Sequence, residues 1–128
     1  MASTNKARHF LTRQEILKVQ PRTLSVEIPE WGGFVLFQEL PAAEVERIRQ
    51  IQDPQKYKAA LVAACVIDQG GNRLFNDSDI DLMVETLGWV ALQRASDVAI
   101  MLHKYDQGDL AKLVQNFTIT PGEDLHSA

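Results

Sequence analysis

"SVEIPEWGGFVLFQEL", residues 25–40, sets a tryptophan and two glycines between two apolar runs, in a chain that elsewhere has the periodicity of helices. In the stretch that leads into it, Leu24, Val26 and Ile28 alternate with Ser25 and Glu27, the period of two that marks a strand with one wet face. Pro29 has no amide hydrogen to give a neighbouring strand, which suits a strand end or an edge. Glycines 32 and 33 tolerate positive φ, so the chain can reverse at "EWGG" and return as a second strand, "FVLFQEL". On that second strand Val35 and Phe37 share one face while Phe34 and Leu36 share the other, so both faces are apolar. A two-stranded hairpin is marginal alone. This one therefore has to pack on helices or gain further strands, and its surplus apolar face calls for a second protein surface. Trp31, Phe34, Leu36 and Phe37 are the candidate protein-binding residues.

Outward from the hairpin the pattern is helical. "TRQE" at 12–15 is a capping box, in which the Thr12 hydroxyl accepts from the Glu15 amide while the Glu15 carboxylate reaches back to the Thr12 amide; Pro21 limits the helix it starts. After the hairpin, "PAAEVERIRQIQ" puts Val45, Ile48 and Gln52 on one side with charges opposite. "PQKYKAALVAACVID" is apolar nearly all round from Ala59 to Ile67, which marks a helix surrounded by others and predicts a central helix running through Ile67. The glycines of "DQGGN" at 68–72 end it, and Arg73 to Phe75 cross over as a short extended piece. In "DSDIDLMVETLG" the apolar Ile80, Met83, Val84 and Leu87 follow helical spacing, with Asp77, Asp79 and Asp81 at the positive end of the helix dipole. "WVALQRASDVAIMLHKY" aligns Leu92, Ala95, Ala99 and Leu102, and "DLAKLVQNF" aligns Leu110, Leu113, Val114 and Phe117. The expected architecture is one α+β domain over residues 1–118, an N-terminal β-hairpin packed on a bundle of about five helices. The polar stretch 119–128 has too little apolar surface to offset its ordering entropy and is expected to be a flexible tail.

The chemistry the residues offer is sparse. With 128 residues and a formal charge of −4, the chain has the size of one domain and a charge that opposes sequence-independent attraction to nucleic acid. No apolar stretch is long enough to span a bilayer, and the first residues lack the apolar core of a signal peptide, so a cytoplasmic protein without membrane contact is expected. The lone Cys65 sits in an apolar run and is expected to pack as a small hydrophobe. His9, His103 and His126 lack metal-ligand spacing, and neither a nucleophile elbow nor a phosphate-binding loop occurs. The segment "DQGGNRLFNDSD", 68–79, aligns Asp68, Asn72 and Asp79 with a calcium loop, but Arg73 stands where that loop needs glycine and Asp79 where it needs glutamate. A helix end followed by a capped helix start accounts for the same residues. No catalytic residue, cofactor or metal is therefore assigned.

Taken in order, "VEIPEWGGFVLFQEL", "KAALVAACVIDQGGNRLFNDSDIDLM", "LGWVALQRASDVAIMLHKY" and "LVQNF" resemble the XkdN-like phage tail assembly chaperones, over a span from about Leu11 to Phe117. The more specific elements are the "VEIPEWGG" turn and the "VIDQGGNRLFNDSD" segment. The chain departs from the family pattern at Phe37 and at Pro41-Ala42. The resemblance implies a non-enzymatic protein that coats the tape measure protein in the host cytoplasm during tail morphogenesis and is absent from the mature virion; the surplus apolar face of the hairpin adds another copy or a client as its cover, and a homo-oligomer is expected. The runner-up expectation is a structural tail completion or connector subunit retained in the particle.

Overall fold

The computed structural model of the chain describes residues 8–104 together with 108, 109 and 112. It is an α+β fold. A short helix α1 (Arg13–Leu17) precedes strands β1 (Thr23–Ile28) and β2 (Gly33–Gln38). Helices α2 (Ala42–Arg49) and α3 (Pro54–Cys65) follow, then strand β3 (Val66–Ile67) and helices α4 (Ile80–Thr86) and α5 (Trp89–Lys104). The helix expected from "DLAKLVQNF" falls mostly outside the described residues, and the polar tail 119–128 falls wholly outside them.

The hairpin forms where the alternation places it. Thr23 to Ile28 pair antiparallel with Gln38 to Gly33, residue for residue. Between them Pro29–Trp31 make a single 3-10 turn closed by Gly32 at φ 77°, in the left-handed region, which L-residues with a Cβ adopt only at a penalty. Val26, Ile28 and Phe37 are fully buried on the inner face.

The central helix is shorter than its apolar run. α3 begins at a capped Pro54, with the Asp53 carboxylate accepting from the amides of Gln55 and Lys56, and every residue from Ala59 to Cys65 is buried. The expectation that it continues through Ile67 is corrected. Val66 and Ile67 instead pair antiparallel with Phe37 and Leu36, which makes a three-stranded sheet in the order β1-β2-β3. A continuous apolar run has no periodicity to separate a buried helix from a buried strand, and here the unpaired edge of β2 supplied the partner. Ile67 is bridged in turn by Arg73, so the expected extended crossover closes onto the sheet.

α3 packs against α2, α4 and α5, while α5 also crosses the hairpin. The core joins Val26, Ile28 and Phe37 from the sheet to Val62, Val98, Ala99 and Leu102 from α3 and α5. Alanines at 59, 60, 63, 64, 91, 95 and 99, all buried, let the helix axes approach closely, because a small side chain leaves room for a neighbour's ridge. Ser96 is buried within this packing and is satisfied locally, its hydroxyl donating to the Gln93 carbonyl at 2.9 Å.

Candidate functional site

The alternation in β2 divides the candidate binding residues. Phe37 faces inward and is completely buried, so it serves the core and is unavailable to a partner while the domain is folded. Trp31 is partly buried against the core. Phe34, paired with Glu27, and Leu36, paired with Ser25 and Ile67, lie on the opposite face. Phe34 is 74% exposed and Leu36 is half-buried. A phenylalanine side chain held that far into water gives up a favourable burial of about 2 kcal/mol, which makes it the outstanding feature of the sheet's outer face.

Apolar surface continues past that face. Leu74, exposed on the crossover, lines a hollow with Ser25, Phe34, Leu36 and Ile67, and a second, almost wholly apolar one with Trp31, Val35, Val66, Phe75 and Leu87, of which Val35 and Val66 belong to the opposite face of the sheet. A third runs on over α4, where Leu74 and Phe75 meet Leu82, Met83 and Leu87. The result is one apolar strip from the hairpin to α4. Its lining residues include Asp68 and Asp79 and, among the described residues, no lysine or arginine. The hairpin's aromatic content directed attention to part of this strip. Leu74 and Leu82 were missed: a lone leucine in a crossover carries no sequence signal of its exposure, whereas Leu82 lies off the stripe of Ile80, Met83, Val84 and Leu87, and that helical period could have found it.

A second exposed apolar element lies at the N-terminus. α1 forms as its capping box dictates, with the Thr12 hydroxyl accepting from the Glu15 amide and the Glu15 carboxylate accepting from the Thr12 amide at 2.8 Å. The Thr12 amide, followed by the His9 ring, holds the Glu15 carboxyl below the usual carboxylate value. Yet no residue of α1 is buried. Phe10, Leu11, Ile16, Leu17 and Val19 are all more than half exposed.

The remaining polar groups serve structure. The Asp68 Oδ1 accepts from the amides of Gly70 and Asn72 at 2.8 and 3.0 Å, and Asn76 and Asp79 form a reciprocal cap at the start of the next helical turn. The helix start expected for 68–79 is found at Asn76, but no helix ends at 68–72: α3 stops at Cys65, and these residues form the turn between β3 and Arg73. His103 is tied at both ring nitrogens: Nε2 accepts from the Leu40 amide at 2.9 Å, which leaves Nδ1 to donate to the Ala99 carbonyl at 2.8 Å. Burial pushes the Cys65 thiol up to about 12, far from the thiolate that nucleophilic chemistry needs. Among the described residues no three His, Cys, Asp or Glu side chains gather as a metal site requires, and no helix is long and apolar enough to cross a membrane.

Comparison with known proteins agrees on the fold. No family model matches the sequence, and no curated protein matches it. A solved structure described as the bacteriophage HK97 tail assembly chaperone superposes with a TM-score of 0.56 at 20% identity, over 84% of this chain and all of that one. The chain therefore shares the fold of that chaperone.

Proposed function

We propose that the chain is a non-enzymatic tail assembly chaperone that covers apolar segments of the tape measure protein and keeps it soluble while a phage tail is built. The exposed apolar strip running from Phe34 through Leu74 to Leu82 carries this reading. Its fold is that of a tail assembly chaperone, and the "VEIPEWGG" and "VIDQGGNRLFNDSD" segments that prompted the family resemblance form the hairpin turn, which Phe34 directly follows, and the crossover, which carries Leu74. A chaperone that has to be displaced later needs many modest contacts, and an open apolar strip of this kind offers contact area without an enclosed, tightly fitting pocket.

The test is co-expression. The tape measure protein encoded with this chain should be insoluble alone, and should become soluble and co-purify when this chain is present. Phe34→Ser should leave the fold intact and reduce the soluble client at least threefold. Failure of the unmodified chain to raise client solubility overturns the proposal. Purified virions should lack this chain; its stoichiometric presence there would favour a connector subunit.

A further inference from the structure

We propose that the N-terminal arm, residues 8–20, docks on the Leu74 strip of a second copy of this chain. The arm is ordered by its own cap, and its helix buries no residue. α1 is five residues long, well short of the length at which a helix is stable in water without tertiary support. Phe10 is 80% exposed, and Leu17 and Val19 are each 67% exposed. In its own copy only the base of the arm touches a hollow, where Leu17, Val19 and Pro21 sit beside Gln38 to Pro41. Phe10, Leu11 and Ile16 are therefore left exposed in a single copy, and so are Phe34, Leu74 and Leu82 on the strip.

Charge selects one for the other. Over residues 8–20 three basic side chains, Arg8, Arg13 and Lys18, stand against Glu15 alone, although the chain as a whole is negative at −4. The strip is lined by Asp68 and Asp79 and has no basic lining residue among those described. Glu27 extends the same sign, since it faces Phe34 across the hairpin. A basic apolar segment meeting an acidic apolar surface satisfies both the hydrophobic and the Coulombic requirement, whereas two strips face to face would oppose like charges. Arm and strip are different patches, so the contact is head-to-tail, and each copy offers one arm and one strip. The inference rests on the reading of the outer surface as protein-binding and names a second copy as one of its partners.

Sedimentation and light scattering of the full chain test it. The unmodified protein should associate, increasingly so at low ionic strength. The arm variant Leu11→Asp/Leu17→Asp and the strip variant Leu74→Lys should each weaken self-association at least tenfold. Both change exposed positions, and Phe34→Lys serves as a second strip variant if Leu74→Lys fails to fold by circular dichroism. Mixing an arm variant with a strip variant should restore one intact arm and one intact strip, giving a one-to-one heterodimer that grows no further. A chain that is monomeric throughout, an arm variant that assembles like the unmodified protein, or a mixture that does not associate would each overturn the inference. A monomeric chain that still solubilises its client would leave the proposed function standing, so the two failures are distinguishable.

Discussion

Arg94 reaches Glu30, 64 positions earlier in the chain, with two parallel hydrogen bonds, Nε to Oε1 at 2.8 Å and Nη2 to Oε2 at 2.7 Å. The pair clamps the hairpin turn to α5. Hydrogen bonding to the Arg94 guanidinium holds the Glu30 carboxyl below its ordinary value of 4.5. A lowered carboxylate value means that the folded state binds a proton less readily than the unfolded one. The contribution is complete above the unfolded value and is lost as the pH falls through the lower folded value. Glu30→Gln should therefore lower stability by about 1 kcal/mol at neutral pH, and the difference between variant and parent should shrink in urea titrations carried out progressively below pH 4.5. At Gly32, φ 77° makes Gly32→Val a backbone substitution: no neighbouring atom would meet a new Cβ, so the expected loss of about 1–2 kcal/mol is conformational. A thermal melt checks it. The sequence alone disclosed the glycine turn and the Thr12 cap, since both are local. It disclosed neither the Glu30–Arg94 clamp nor the His103 link to Leu40, because their partners lie 64 and 63 residues apart.

At the scale of elements, β2 reports which of its faces is core. Phe37→Ala should cost about 3–5 kcal/mol, since it empties a fully enclosed site. Phe34→Ala, three residues earlier and on the opposite face, should change stability by about 0.5 kcal/mol or less. Denaturant midpoints of the two variants compare the faces directly. Alternation showed that the faces differ and that both are apolar, yet it could not say which one the helices would take. The same limit produced the error at β3. Val66 and Ile67 continue an apolar run that carries no helical or strand period, and they became strand because the free edge of β2 offered hydrogen bonds. Helix starts were legible for the opposite reason. Thr12 and Asn76 each satisfy backbone amides within three residues of themselves, whereas Asp53, which caps α3 in the same way, was legible only as a break after the preceding helix.

For the whole molecule, the proposed docking of the N-terminal arm on the apolar strip would make stability depend on company. Association of folded copies stabilises the folded state by mass action. The melting temperature of the full chain should accordingly rise with protein concentration and should be independent of concentration in Leu11→Asp/Leu17→Asp. Calorimetry over a hundredfold concentration range checks both.

The sequence by itself determined the hairpin, its glycine reversal, the capped helix starts and the buried character of residues 59–67, because each depends on φ preferences, short-range hydrogen bonds or local periodicity. The third strand, the burial of Phe37 alongside the exposure of Phe34, the Glu30–Arg94 clamp and the joining of Phe34, Leu74 and Leu82 into one strip were decided only by the tertiary structure. Each of these depends on which segments, distant in the chain, come to lie side by side, and the pattern of neighbouring residues does not encode that choice.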